Sequence, residues 1–364
     1  MRFKIEKNEL QRGISVVQNV ISSKAPVASL SCVKVDAREG RVTFTGTDLK
    51  VTAELSLPAD VTEDGTVSLH APSLSDVVHE LPDVEIDVAT SDMSVMIECG
   101  DVLFKLHTSP VEDFPEIPEP ETDVEFLIDS KHLIDALSRV EFSISRDQSR
   151  YILTGALISV SGDTLRTVST DGRRMSVATS VLDTPLDVEY SAVIPHKTVQ
   201  ELLRVLESGA GVRIKAGKNR VTFVVDGLRI ISTVLEGRYP DYNQIVPKEY
   251  NKEIVFDKTA LTSAVRRIAA VATRNYKCVR LQFRENAAML TGATPEVGEG
   301  REEMAIEYAG DEVEVAFNPD YVLDVIKVVT TDKVVLRLRE GDAAGLFKGL
   351  DDDSGLFVVM PIKL

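Results

Sequence analysis

The sequence predicts an α+β protein in which one domain is built three times. Three observations carry this: a strand–helix signal that returns about every 123 residues, a helix-opening proline that returns with it, and alternating apolar segments between them. The first signal is Phe3-Lys-Ile5 followed by Leu10, Ile14 and Val17, a short strand running into an amphipathic helix. It returns as Phe126-Leu-Ile128 with Leu133, Ala136, Leu137 and Val140, and again as Ile254-Val-Phe256 with Leu261, Ala264, Val265 and Ile268. Between the helices, Thr45-Gly-Thr-Asp48, Val168-Ser-Thr-Asp171 and Thr291-Gly-Ala-Thr294 mark a turn at the same spacing. Pro72, Pro195 and Pro319 each open a second helix, because the first helical turn does not need the N–H that proline lacks. The apolar positions of these second helices are Leu74, Val77, Val78 and Leu81; Val199, Leu202, Leu203 and Leu206; and Val322, Val325, Ile326 and Val329.

Strands are expected where apolar and polar residues alternate, as in Val42 to Thr45, Met93 to Ile97, Arg220 to Val225 and Val334 to Leu338. Each unit is thus two helices on a mostly antiparallel sheet, and the repeat is far too long for a solenoid. The acidic, proline-rich stretch from Val111 to Glu125 and the stretch from Pro240 to Lys252 read as linkers. They divide the chain into domains 1–122, 123–250 and 251–364.

Composition limits the function. The 364 residues carry 41 Lys and Arg against 58 Asp and Glu, a net charge of −17, which argues against a protein that wraps nucleic acid on its outside. Aromatic residues make up 5% and Trp is absent, so the cores must be largely aliphatic. Cys32, Cys99 and Cys278 are scattered with no CxxC pair, and the start MRFKIEKNEL is too charged for a signal peptide. No apolar run reaches membrane-spanning length; the expectation is a cytoplasmic protein with no membrane partner.

Catalytic signatures are missing. His70, His79, His107, His132 and His196 have no metal-ligand spacing, and neither GxSxG nor GxGxxG occurs. Gly211 to Asn219 superficially suggests a phosphate loop, but it has five residues between its glycines and no Ser or Thr after Lys218, so it reads as a hairpin turn. Neither an enzyme nor a cofactor or metal site is expected.

Four segments carry a resemblance: Arg166-Thr-Val-Ser-Thr-Asp-Gly172-Arg-Arg174, Gly237-Arg-Tyr-Pro-Asp-Tyr242, Phe317-Asn-Pro-Asp-Tyr-Val-Leu-Asp324 and the terminal Val358-Val-Met-Pro-Ile-Lys-Leu364. Together with the triplication, they make the chain resemble, over its full length, the bacterial DNA polymerase III beta subunit, the replicative sliding clamp. The resemblance implies a head-to-tail homodimer closing a six-domain ring, with twelve helices lining a hole for duplex DNA. It implies weak, sequence-independent phosphate contacts, with processivity coming from enclosure.

On the helix after Asp257, Arg266 and Arg267 point away from the apolar stripe at 100° per residue. Further DNA contacts implied by the resemblance are Lys24, Arg146, Arg150, Tyr151, Lys197, Arg204 and Lys327. A solvated helix face is the alternative for any one of them. The resemblance also implies a groove for short Gln- and Leu/Phe-containing peptides of the polymerase alpha subunit, clamp-loader subunits and other partners. Its residues here are Leu153, Thr170, Gly172, Arg173, Arg174, Met175, Pro240, Ile245, Asn318, Tyr321, Val358, Val359, Met360, Pro361, Ile362, Lys363 and Leu364. Arg173, Ile152 and Gln244 depart from residues that some family members carry. For the dimer contact, Phe104 and Leu106 would face Ala270 and Val271, with Glu296, Glu299, Glu302 and Glu303 supplying charge pairs. The competing reading is a non-DNA scaffold of three α+β repeats.

Overall fold

The computed structural model describes residues 1–21, 27–118, 121–272, 277–340 and 342–363. Six α-helices occur among them: α1 (Lys7–Gln18), α2 (Ala71–Glu80), α3 (Ser130–Ser138), α4 (His196–Val205), α5 (Lys258–Ala269) and α6 (Pro319–Val328). Each odd-numbered helix follows a short strand, Arg2–Glu6, Val124–Asp129 or Lys252–Asp257, as the repeat requires. Leu10, Ile14 and Val17 of α1 are buried, as are Leu261, Ala264, Val265 and Ile268 of α5. Each of the Leu, Ile and Val side chains among them contributes roughly 1.5–3 kcal/mol. Asp257 caps α5 by accepting from Ala260 N at 2.7 Å, and Asn318 caps α6 by accepting from Asp320 N at 2.9 Å.

The chain forms two compact units, residues 1–131 with 197–234 and residues 132–196 with 235–364. In the first, one antiparallel sheet of 13 strands carries both first-repeat and middle-repeat strands. They join where Val51–Pro58 pairs with Leu228–Thr233, Val51 opposite Ser232 and Leu55 opposite Leu228. In the second unit, a six-stranded sheet joins middle-repeat and third-repeat strands in the same way. Arg174–Pro195 there pairs with Asp352–Val359, Arg174 opposite Val359 and Ala178 opposite Gly355. A separate four-stranded sheet ends at the edge strand Gly298–Ala305. The first unit has a free edge too: among the described residues, 102–107 of the strand Val102–Ser109 pair on one side only, with Ser94–Cys99.

Several expectations shift in detail. Met93 is 73% exposed, and the strand begins after it at Ser94. Pro195 ends the strand Arg174–Pro195 and so precedes α4, whereas Pro72 and Pro319 do lie in the first helical turn. Thr291 to Thr294 is not a turn but the end of the strand Ala287–Thr294. Val124, Glu125 and Lys252, read as linker, open strands. The hairpin at Gly211 to Val225 forms as expected, with Arg213 opposite Val224.

The packing of α1 on its sheet predicts one sensitive position. A Cβ on Gly13 would lie 2.4 Å from the ring of Phe44, a fully buried residue. Gly13→Ala should therefore destabilise the first unit by about 1–3 kcal/mol, measured as a lowered urea midpoint, despite the higher helix propensity of alanine.

Candidate peptide pocket and basic residues

The pocket region is organised by the turn between the strands Gly155–Thr170 and Arg174–Pro195. Asp171 Oδ1 accepts from Arg173 N at 2.8 Å and from Arg174 N at 3.0 Å. Thr170 Oγ1 donates to Arg174 O at 2.7 Å and accepts from Gly172 N at 3.0 Å. Gly172 has φ +83°, a left-handed conformation that favours glycine, and the Arg150 guanidinium occupies the space beside it. Arg150 Nη1 uses that space to donate to Asp171 O at 2.8 Å.

The terminal strand brings the other wall. Met175 lies opposite Val358, and Met360 N donates to Arg173 O at 2.9 Å, just beyond the last rung. Ile362 N donates to Ala316 O at 2.7 Å, which anchors the tail. Val168, Met175, Val177, Leu346 and Val358 form a small buried core, against which Tyr239, Tyr242 and Val246 pack. Met175 and Val358 are thus a floor, 2% and 1% exposed, whereas Met360 at 46%, Ile362 at 38% and Ile245 at 42% are an exposed rim. Ile245 also lines an adjoining cleft of about 490 Å³ with Val246, Tyr250, Arg337 and Leu346.

Arg174 fixes the polar side of the region. Its guanidinium pairs with Asp171 at 3.1 Å and Asp324 at 2.5 Å, and donates to Phe142 O at 2.6 Å. It also stacks over Tyr321, 4.4 Å from the ring centroid, and lies 5.2 Å from that of Phe142. Asn318, on the same α6 turn as Tyr321, is occupied as the helix cap. Thr170, Gly172, Arg173, Arg174, Met175, Val358, Val359, Met360 and Tyr321 are therefore brought together by hydrogen bonds, strand pairing and stacking. Leu153 is half-buried, and its carbonyl accepts from Ser145 N at 3.0 Å. Pro240 is exposed beside Tyr239, while Pro361 is half-buried and Lys363 exposed in the tail. Leu364 lies outside the described residues.

Among the departures, Arg173 is exposed and Ile152 half-buried, while Gln244 Nε2 donates to Asp241 Oδ2 at 2.9 Å. Tyr239, Leu346 and Asp324 also pack or pair here without having been expected to, although Asp324 ends one of the motifs that carry the resemblance. Tyr239 carried a signal, since it precedes Pro240 in a quoted motif; burial pushes its phenol above the ordinary range, against the opposing effect of the Thr170 backbone.

The cations divide into two groups. Arg146, Arg266 and Lys327 are exposed and make no ion pair among the described residues. Arg150 and Tyr151 are exposed on the segment before the pocket hairpin, Arg150 with Asp147 at 3.8 Å. Arg267 is outward as expected but pairs with Glu302 at 2.5 Å, which holds that carboxyl below its ordinary range. Lys197 and Arg204 are committed to protein groups. Lys197 Nζ meets Asp48 at 2.6 Å and Val20 O at 2.5 Å; Arg204 meets Glu201 at 2.6 Å and the α1 carbonyls of Ser15 and Val16. Lys24 lies outside the described residues.

Of the residues assigned to a dimer contact, Phe104 and Leu106 are half-buried on the free edge strand. Ala270 is exposed and Val271 half-buried just after α5. Glu299, Glu302 and Glu303 lie on the other edge strand, Gly298–Ala305, with Glu296 just before it, and Glu303 pairs with Arg284 at 2.5 Å. No group of three or more side chains suited to a metal ion occurs among the described residues, and none of their helices is long and apolar enough to cross a membrane.

Three sequence models of one family match this chain in order. They describe the N-terminal, central and C-terminal domains of the DNA polymerase III beta subunit and match residues 1–118, 127–241 and 243–363. The chain belongs to the DNA polymerase III beta subunit family. A curated beta sliding clamp from Pseudomonas aeruginosa is 31% identical over 369 residues, covering 100% of both chains. Another, from Chlamydia muridarum, is 30% identical over 367 residues, covering 100% of this chain and 99% of its own. The crystal structure of the Pseudomonas aeruginosa clamp bound to griselimycin superposes with a TM-score of 0.96 at 30% identity and full coverage of both chains. The Bacillus subtilis clamp, 24% identical with a TM-score of 0.95 and covering 100% and 99% of the two chains, shows the same fold.

Removing Arg174 tests the polar side of the region. Arg174→Met should leave Asp171 and Asp324 without their counter-ion and cost about 2–3 kcal/mol, read from the urea midpoint. Arg174→Lys should recover only part, since one ammonium cannot reproduce the fork and the stacking.

Proposed function

We propose that this chain is a sliding clamp: two copies join head to tail around duplex DNA, and the ring tethers the replicative polymerase for processive synthesis. The ordered match of all three family domains, with full-length relatives that are beta sliding clamps, carries this reading. It is a processivity factor with no chemistry of its own, built from domains 1–122, 123–250 and 251–364, and acts on DNA in the cytoplasm. The scaffold alternative loses its support, because nothing in the chain favours it over the family.

The strand edges support the head-to-tail dimer. Two joints between repeats are made within the chain, at Val51–Leu55 with Leu228–Ser232 and at Arg174–Ala178 with Gly355–Val359. Counting on by the repeat, the strand Gly298–Ala305 corresponds to Val51–Pro58, and Val102–Ser109 corresponds to Leu228–Thr233. Both are left with an unpaired edge. They are the two halves of a third joint, which a second copy would complete by placing its own half beside each, burying Phe104 and Leu106 near Ala270 and Val271. Lys105 on one half and Glu299 on the other add opposite charge.

DNA contact is assigned to the exposed cations Arg146, Arg150, Arg266 and Lys327, with Arg267 reaching phosphate by exchanging its Glu302 partner, and with Tyr151 beside them. Lys197 and Arg204 suit the positioning of α4 better than phosphate contact. A partner peptide is assigned to the buried floor and exposed rim around Met175, Val358, Met360 and Ile362, where apolar anchoring is combined with the polar Arg174, Asn318 and Tyr321. Two flexible methionines suit several peptides.

Light scattering should give a dimer of 39.9 kDa chains that stays on nicked circular DNA and leaves linear DNA. Arg146→Glu with Arg266→Glu and Lys327→Glu should shorten retention and flatten its salt dependence by about three phosphate contacts, without dissociating the dimer. A monomer, or equal loss from both DNAs, overturns the reading. For the pocket, cutting from Val359 would remove the Arg174 rung, so the informative truncation ends at Met360. Loss of Pro361 to Leu364 should weaken a Gln-Leu-Phe peptide at least about tenfold by fluorescence anisotropy with the dimer intact.

A further inference from the structure

The joint between the first and middle repeats reproduces the turn and strand-end hydrogen bonds of the pocket region, with Val51 standing where Arg174 does. Thr47 Oγ1 donates to Val51 O at 3.2 Å and accepts from Leu49 N at 3.0 Å, as Thr170 does with Arg174 and Gly172. Asp48 Oδ1 accepts from Lys50 N at 3.0 Å and Val51 N at 2.8 Å, as Asp171 does from Arg173 and Arg174. Thr52 pairs with Ile231 as Met175 pairs with Val358. Thr233 N donates to Lys50 O at 2.8 Å, as Met360 N does to Arg173 O. The linker repeats as well: Phe114-Pro115-Glu116 stands where Tyr239-Pro240-Asp241 stands, and both aromatic rings are turned inward.

A cavity of about 150 Å³ lies at this place. Its lining includes Thr47, Leu49, Lys50, Thr52, Ile231 and Thr233, the counterparts of Thr170, Gly172, Arg173, Met175, Val358 and Met360. Pro115, the counterpart of Pro240, lines it too, along with Ile117 and Arg220. We propose that the first joint carries a second pocket of this construction, which takes a partner peptide through one aliphatic residue adjacent to a carboxylate. This rests on the peptide-pocket reading of the second joint. The volume suits one aliphatic side chain, since a cavity of about this size accepts a benzene-sized group. Two cations in the lining, Lys50 and Arg220, face one acid, Glu116, and Lys50 makes no ion pair among the described residues. Leu49 is one of the lining side chains. It holds φ +75°, the left-handed conformation that Gly172 adopts without cost, so an unfavourable residue stands where glycine would be relaxed.

Titration of the Leu-, Ile- and Met-methyl-labelled dimer with N-acetyl-leucyl-aspartyl amide, read by NMR, tests this. Leu49, Ile117 and Ile231 methyls should shift saturably with a dissociation constant of about 1 mM. Leu49→Gly should tighten binding at least about threefold by opening the cavity, and Lys50→Glu should weaken it by a similar factor. No saturable shift, or shifts unchanged by Lys50→Glu, overturns the proposal. A parallel titration with a Gln-Leu-Phe peptide reads Met175 and Met360. Their response without one at Leu49 and Ile231 sinks the second site and leaves the first reading standing, whereas their silence sinks that reading.

Discussion

Backbone pairing between strands of neighbouring repeats is the constraint on which the rest depends. Each joint is five rungs of an antiparallel ladder, Val51 to Leu55 with Ser232 to Leu228 and Arg174 to Ala178 with Val359 to Gly355. Such a ladder leaves no freedom of register, since a slip of one residue turns every side chain to the opposite face. The register in turn places the Thr-Asp turn beside the end of the partner strand, so Met175 meets Val358 and Arg173 meets Met360. The pocket region is a by-product of how two repeats are joined.

The repeat was legible because helix starts and buried stripes depend on local pattern. Leu10, Ile14 and Val17 and their later counterparts are buried where the periodicity puts them. The turn could be seen as Thr-Asp, and the structure shows why it recurs: each aspartate accepts two backbone N–H groups in the same way. What local pattern does not carry is pairing at long range. Arg174 finds Asp324 across 150 residues, and Lys197 finds Asp48 across 149, so one cation read as a pocket anchor is an ion-pair hub and one read as a DNA ligand is tied to the protein. The hairpin Gly155–Pro195 also escaped notice as a unit, because its distal half alternates exposed and half-buried residues without a strong apolar face.

The net charge of −17 is compatible with a nucleic-acid partner because charges are spent unevenly. Many cations are neutralised by nearby acids, as Arg213 is by Glu125 at 2.7 Å and Arg337 by Glu253 at 2.7 Å. A handful, including Arg146, Arg266 and Lys327, makes no ion pair among the described residues. Few such cations on an acidic body give loose, salt-sensitive contact, which favours movement along a polyanion over capture by it.

The two edges unpaired among the described residues, Val102 to His107 and Gly298–Ala305, are different strands, so a contact between copies that joined one to the other would be between unlike faces. A contact between unlike faces closes only if the rotation it imposes adds up to a full turn; otherwise each added copy presents a fresh edge and growth continues as a helical filament. For a contact of that kind, geometry rather than the strength of the pairing separates a finite particle from a polymer.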